Sequence, residues 1–538
     1  MSNSYDYVIV GAGSAGCVIA NRLTADPDVS VLLLEAGGWD KQLFMKMPLG
    51  AHMGRYPELN WGYMSEEIPA LGRPLGVPRG RGMGGSSLVN AMTYSRGHPK
   101  DYDQWRQMGC EGWSYAELLP YFKRSEKSWR GEGTYHGGSG EMAVSRTDLR
   151  TRHYDEVIAA AKTLGYQESP DLHGEVSEGF SIPEFNVGKG RRASTARAFI
   201  HPIRHRRNLT IETGALTSRV IVEDGRAVGV EYVQDGQTKV ARAAREVVLS
   251  GGTYNSPQLL MLSGIGPAEH LREMGIEPLV DLPGVGRNLS EHASFFIHYR
   301  TKGPISLLKD LRYDKVALNL FRWWFLGNGP FADQGTTSHA QVRTRPELER
   351  PDIQIFFNPA RLDSRPWFPV IRPVQEHQIN AIMILLHPDS RGWLTLRSAD
   401  PKDPPRIFLN ILDQQSDIDA LIRGMKVARK VFATPPMSDL VDAEVAPGLQ
   451  AQSDVDLLAY LKKAAMVSHH PVGTCTMGHG DMAVVDPELR VRGIAALRVA
   501  DASIMPTVPG GNTNAPSIMV GEKAADLIRG QVLAPAEL

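Results

Sequence analysis

Tyr5-Asp6-Tyr7-Val8-Ile9-Val10-Gly11-Ala12-Gly13-Ser14-Ala15-Gly16 is the stretch on which the fold turns. Its first half has the β-branched and aromatic bias of a buried strand. A helical pattern through Val18, Ile19, Ala20 and Leu23 follows the glycines, and Val29-Ser30-Val31-Leu32-Leu33-Leu34 reads as a second strand ending on Glu35. Strand, glycine turn, helix and strand make a complete β-α-β unit. Gly11 permits the tight turn, Gly13 lets the backbone approach a pyrophosphate, and Gly16 lets the helix pack on the strand. The helix N-terminus offers unpaired N–H groups and a positive dipole end to phosphate. Glu35 stands at the distance expected of an acid that binds ribose hydroxyls. The unit predicts a dinucleotide site, with Ser14, Ala15 and Ala36 beside the glycines and the acid. By itself it does not separate NAD from FAD.

Further along, Arg79-Gly80-Arg81-Gly82-Met83-Gly84-Gly85-Ser86-Ser87-Leu88-Val89-Asn90-Ala91-Met92 is a second glycine-rich segment. Glycines this dense let a loop lie flat against a planar or phosphorylated ligand, with hydroxyls and an amide as polar contacts. Alone, it reads equally well as a surface loop. Its continuation, Tyr94-Ser95-Arg96-Gly97-His98-Pro99-Lys100-Asp101-Tyr102-Asp103-Gln104-Trp105, resembles the first signature of the glucose–methanol–choline (GMC) oxidoreductases. Ser250-Gly251-Gly252-Thr253-Tyr254-Asn255-Ser256-Pro257 resembles the second, continuing to Leu262-Ser263-Gly264-Ile265-Gly266-Pro267. Gly284-Val285-Gly286-Arg287-Asn288-Leu289 with His292 close behind, His387-Pro388-Asp389-Ser390-Arg391-Gly392, and residues 470–526 match as well. The resemblance is strongest to the choline dehydrogenase and alcohol dehydrogenase/oxidase branch.

That resemblance implies an α/β protein: a Rossmann-like FAD domain plus a substrate domain with an antiparallel sheet backed by helices. It implies FAD contacts at Gly11, Gly13, Ser14, Ala15, Gly16, Glu35 and Ala36. In the second loop it adds Arg81, Met83, Gly84, Gly85, Ser86, Asn90, Ala91 and Met92. Val220 (through its backbone, at the adenine), Gly252, Asp501 (at the ribityl chain), Ala502, Asn512 and Thr513 complete the set. Family members that attach FAD covalently do so through a His at the place Val89 holds here, so the expected cofactor is non-covalent FAD. No repeat or Pro/Ser-rich linker appears, and the flavin motifs fall in three distant blocks. The expected division is 1–155, 201–300 and 463–538 for the FAD domain, with 156–200 and 301–462 for the substrate domain.

Composition agrees. A chain of 538 residues is too long for one ordinary core. Its 59 basic and 60 acidic side chains nearly cancel, so no global field draws nucleic acid or an anionic membrane. Cys17, Cys110 and Cys475 cannot all pair, which suits a reducing compartment. The opening residues show no basic and apolar leader. The apolar run Ala381-Ile382-Met383-Ile384-Leu385-Leu386 is far below membrane-spanning length. The expectation is a cytoplasmic protein with no transmembrane segment. The most aromatic stretch, residues 315–326, reads as an amphipathic helix before Gly327-Asn328-Gly329-Pro330, with packing as its expected role and a peripheral membrane or partner contact as the alternative.

The chemistry centres on Ser468-His469-His470-Pro471-Val472-Gly473-Thr474-Cys475. Oxidising an alcohol by hydride transfer requires removal of the hydroxyl proton, and an imidazole can take it. Pro471 biases His470 away from helix. By resemblance, His470 is the catalytic histidine, Asn512 the second catalytic residue and Cys475 structural. His469 is expected to pack, with a pocket-lining role as its alternative; Asn514 is expected to cap a helix or touch flavin. No metal-ligand cluster stands out. The leading reading is FAD-dependent oxidation of a primary, aryl or alkyl alcohol, with oxygen, a quinone or another acceptor reoxidising the flavin. Its rivals are a non-redox lyase of the hydroxynitrile-lyase type and a degenerate binding protein.

Overall fold

The computed structural model describes residues 4–52, 57–146 and 153–538. Ser4–Val10 is a strand, Ser14–Leu23 a helix and Val31–Glu35 a strand, as the opening stretch predicts. The two strands pair in parallel, Tyr7 against Val31 through Val10 against Leu34. Val8, Ile9, Val31 and Leu33 are fully buried, as in parallel strands covered on both faces.

These strands lie at the centre of the first sheet, ordered Leu216–Glu223, Arg226–Gln234, Gln237–Leu249, Ser4–Val10, Val31–Glu35 and Leu209–Thr213. Leu497–Val499 pairs in parallel with Gln237–Leu249 and so brings the C-terminal block into the same sheet. The first two strands form an antiparallel hairpin whose turn places Asp224 and Gly225 at positive φ, the conformation a two-residue hairpin turn demands. The C-terminal helix Asn514–Arg529 lies against Ser14–Leu23. Gly521 makes this close approach possible, since a Cβ there would sit 2.7 Å from the Ala15 carbonyl oxygen.

The second sheet runs Val441–Ala446, Ala293–Thr301, Gln378–Leu385, Ile353–Asn358, Ser338–Val342 and Gly179–Ser181, antiparallel throughout. The long helix Gln415–Ala433 backs it, with Gly424 against the Ile353 side chain. Sheet membership moves two expected borders. Ala293–Thr301, all but its last residue in the 201–300 block, and Met466–Val467, in the 463–538 block, are strands of this second sheet.

The aromatic stretch is helical, Tyr313–Phe321 continuing as a wider π-turn over Arg322–Leu326 and ending on Gly327 at φ 64. The expected packing holds for one flank of it, where Val316 and Leu320 lie against a small core. Trp323 is buried in a small core with Leu307, Leu308 and Phe331, but Leu318, Phe321, Trp324, Phe325 and Leu326 are exposed. Among the described residues no helix is long and apolar enough to cross a membrane.

Candidate active site

A cavity of about 980 Å³ has walls from both sheets. Val10 and Leu34, at the C-terminal ends of the two central parallel strands, border one end, while Phe296, Phe356 and Ile382 of the antiparallel sheet border the other. A crevice outside the carboxyl ends of parallel strands is where such sheets bind ligands.

The glycine turn is shaped by contacts that leave no room for side chains. Gly11 has φ 99, and a Cβ on it would lie 2.4 Å from the Ser250 carbonyl oxygen; one on Gly16 would lie 2.0 Å from the Gly11 oxygen. The two glycine loops touch, Gly84 N–H donating to the Ala12 oxygen over 2.7 Å. Gly13 instead opens onto the cavity, together with Ser14 and Ala15. Helix Asn514–Arg529 begins at the same place. Ser14 Oγ donates to Asn514 Oδ1 over 2.8 Å, so two helix N-termini converge on one cavity. Both present unpaired N–H groups and positive dipole ends there.

Glu35 is 6% exposed. Its carboxylate accepts from Ala12 N–H (3.0 Å) and Gly37 N–H (2.8 Å), which aims it at the turn. Burial nevertheless pushes its carboxyl above the ordinary value. Asp501 accepts from Gly252 N–H (2.8 Å), Ser256 Oγ (2.6 Å) and Ser503 N–H (2.8 Å), tying the C-terminal block to the second signature. Both acids line the cavity, as do Ala36, Gly85, Ser86, Asn90, Ala91, Met92, Gly252, Ala502, Asn512 and Thr513.

Five residues expected at the cofactor do not line the cavity. Gly16 serves the close packing just described. Arg81 stacks its guanidinium over Trp61 at 4.9 Å. Met83 is fully buried, and Gly84 spends its N–H on Ala12. Val220 is buried within its strand, and its N–H donates to Ser263 Oγ over 2.8 Å. Ala215, Leu216 and Thr217, at the start of that strand, border the cavity instead.

At the other end, His470 and Asn512 meet, Asn512 Nδ2 lying 3.0 Å from His470 Nε2. His470 Nδ1 lies 3.0 Å from Nδ1 of His292, and His292 Nε2 lies 3.0 Å from the Leu386 carbonyl oxygen. These contacts fix the protons. A carbonyl only accepts, so His292 carries its hydrogen on Nε2. Burial depresses His292 to about 3, so it is neutral and its Nδ1 accepts. His470 must then donate from Nδ1, which leaves a lone pair on Nε2 to receive the Asn512 amide. Burial, then His292, His469 and Arg79, hold His470 well below the ordinary imidazole value.

Glu291 supports the pair from behind. Its Oε1 accepts from the backbone N–H of His470 (2.6 Å) and of His292 (3.0 Å), and burial pushes its carboxyl up to about 7. The neighbouring His469 adopts the left-handed conformation at φ 64, lines the cavity and is depressed to about 3 by burial. Its pocket-lining alternative therefore describes its position. Arg79 Nη2 holds the His469 carbonyl at 2.7 Å. Cys475 is buried and its thiol is pushed well up by burial, which leaves no reactive thiolate.

Sequence reasoning missed Glu291 and Arg79, and it noted His292 without assigning it a place. The adjacent acid and histidine after Gly284–Leu289 were the available signal. It also missed Arg192, whose buried guanidinium holds the carbonyls of Ser87 and Asn90 and so shapes the second loop.

The lining fits FAD. Open glycine backbone and two helix N-termini suit a pyrophosphate, and buried acids suit sugar hydroxyls. Asn512 Oδ1, Ser468 Oγ and His469 Nδ1 are buried without protein partners around the histidines. Family models described as GMC oxidoreductase match residues 5–294 and 388–521. An oxygen-dependent choline dehydrogenase of Chromohalobacter salexigens is 42% identical, over 98% of this chain and 96% of its own length. A mitochondrial choline dehydrogenase of Mus musculus is also 42% identical, over 98% of this chain and 90% of its own. The crystal structure of pyridoxine 4-oxidase from Mesorbium loti superposes with TM-score 0.87 at 30% identity, covering 97% of this chain and 98% of that one. Aspergillus oryzae formate oxidase superposes with TM-score 0.91 at 28% identity, covering 98% of both. Nothing in these comparisons favours a lyase. The chain belongs to the GMC oxidoreductase family, and it is an FAD-dependent oxidoreductase acting on the CH–OH group of an alcohol.

Proposed function

We propose that His470 Nε2 takes the hydroxyl proton of the alcohol and that Asn512 holds the alcohol oxygen beside it. The observation that carries this is the contact of His470 Nε2 with the Asn512 amide, since the hydrogen order along Leu386, His292 and His470 makes Nε2 the accepting nitrogen of His470. FAD, when bound, supplies the acceptor for the hydride that leaves the alcohol carbon. Depressed well below its ordinary value, His470 is neutral before the reaction and ready to accept. Asn512 has both the donor and the unpartnered oxygen needed to hold a hydroxyl as its proton leaves. Glu291 favours the positive charge that His470 then acquires, because its carboxylate lies against the His470 backbone.

At the cofactor, Gly13, Ser14 and Ala15 receive the pyrophosphate, Glu35 the ribose and Asp501 the ribityl chain; the open glycine turn and the two buried acids on the cavity wall support this. A separate acceptor restores the enzyme. The names of the relatives, with an oxygen-dependent dehydrogenase and two oxidases among them, favour oxygen over a quinone. Their names also make choline a first alcohol to try. Three buried free thiols suit a reducing compartment, which supports a cytoplasmic location.

Anaerobic flavin reduction by an alcohol tests the base. His470→Ala should lose about 10²- to 10⁴-fold in rate, the usual contribution of general acid–base catalysis, while FAD stays bound. Asn512→Ala should lose less. Full rates in both variants with FAD bound would remove these roles.

A further inference from the structure

Building on the oxidation reading, we infer that the site takes an uncharged alcohol and discriminates against one that carries a quaternary ammonium. The argument starts from the sheet face that floors the cavity. Register pairs Ser294, Phe296 and His298 with Ile384, Ile382 and Asn380. The next strand pairs Gln354, Phe356 and Asn358 with the same three. Side chains alternate across a strand, so all nine share one face. Phe296, Phe356, Asn358, Asn380, Ile382 and Ile384 of this face line the cavity. It is a surface of aromatic and aliphatic carbon, amides, one hydroxyl and one imidazole, and burial holds that imidazole, His298, below its ordinary value.

The carboxylates on the cavity wall are already engaged, and the other charged side chains on that wall are arginines. Among the described residues that line the cavity, the carboxylates are Glu35 and Asp501. Glu35 is held by Ala12 and Gly37 N–H at the glycine turn, and Asp501 by Gly252 N–H, Ser256 Oγ and Ser503 N–H, so donors of the protein already occupy both. Glu291 has one oxygen occupied by two backbone N–H groups and is not on the cavity wall. On the substrate side the wall carries Arg79 and Arg361. Arg361 is paired with Asp363 at 2.7 Å, and Arg79 donates to the carbonyls of Pro78 and His469. The indole best suited to attract a cation, Trp61, already has the Arg81 guanidinium over it. An ammonium entering this space would lose its hydration with no unengaged carboxylate among the described lining residues to offset it, a cost that a neutral group of the same shape does not bear. Identity of 42% to choline dehydrogenases therefore does not bring their named substrate to this chain.

Two isosteric pairs test this on the wild-type holoenzyme. One is choline and its neutral analogue, in which tert-butyl replaces trimethylammonium. The other is para-trimethylammonio-benzyl alcohol and para-tert-butylbenzyl alcohol. The readout is the second-order rate of anaerobic flavin reduction at subsaturating alcohol. The neutral member should win by about tenfold or more in each reactive pair, since a tenfold ratio needs only one pKa unit's worth of unfavourable charge interaction. A cationic member that matches or outpaces its neutral partner in either pair would overturn the inference and leave alcohol oxidation standing. Flavin left oxidised by all four compounds and by a wider set of uncharged primary alcohols would overturn the oxidation reading, and this inference with it.

Discussion

Replacing His292 by leucine isolates the part of the site that sequence did not assign. The histidine is fully buried and accepts one hydrogen bond, from His470 Nδ1–H, over 3.0 Å. With leucine there, His470 either keeps a buried N–H without an acceptor or moves that hydrogen to Nε2, where it blocks the base. A buried donor left unpaired costs about 1–3 kcal/mol. Carried into the barrier, that slows flavin reduction by about 5- to 160-fold. Stopped-flow bleaching under anaerobic conditions, with FAD content measured on the same sample, gives the number. His292→Gln offers an amide oxygen to His470 and should recover part of the loss, which a merely structural defect would not do. Wild-type reduction by His292→Leu with FAD bound would refute the proton order.

Three further outcomes concern Glu291 and Val89. Burial pushes the Glu291 carboxyl up to about 7, so reduction should accelerate as pH rises through that value, and Glu291→Gln should be slower and lack the inflection. The stability sign is opposite: the folded value lies above the unfolded one, so this group lowers stability as pH climbs from the ordinary carboxylate range to about 7, and thermal melts of Glu291→Gln should lose that slope. Acid denaturation should release all the yellow cofactor, because Val89 on the cavity wall has no nucleophilic nitrogen; a flavin-bearing peptide in the pellet would contradict this.

The nucleotide unit was legible because parallel strands buried on both faces show as unbroken apolar runs, and the glycines between them answer to steric needs local to the turn. The resemblance, read through the proline after His470 and the helix after Asn512, singles these two out along the chain, and the fold brings them within 3.0 Å. The His292–His470 contact was not legible. Those residues are 178 apart, and the bridge between Ser290 and Val472 that aligns them belongs to tertiary pairing rather than to any local pattern. The side chain of Val220 is silent for a related reason: a strand valine looks the same whether its N–H faces a ligand or Ser263. The helical reading of residues 315–326 held, since periodicity reports a helix. Periodicity does not report which flank finds a partner, and there Trp323, Val316 and Leu320 pack on the small core while Phe321 and Phe325 stay exposed.

The most direct test of the account uses one alcohol in two isotopic forms, ordinary and deuterated at the carbon bearing the hydroxyl. Each is mixed anaerobically with the yellow holoenzyme, and the flavin absorbance is followed in a single turnover. The account predicts that both forms bleach the flavin, that the deuterated form does so more slowly, and that the product is the corresponding aldehyde or ketone. Aldehyde or ketone formed while the flavin stays oxidised, or bleaching indifferent to deuterium even when His470→Ala makes the chemical step slow, would contradict hydride transfer to the cofactor.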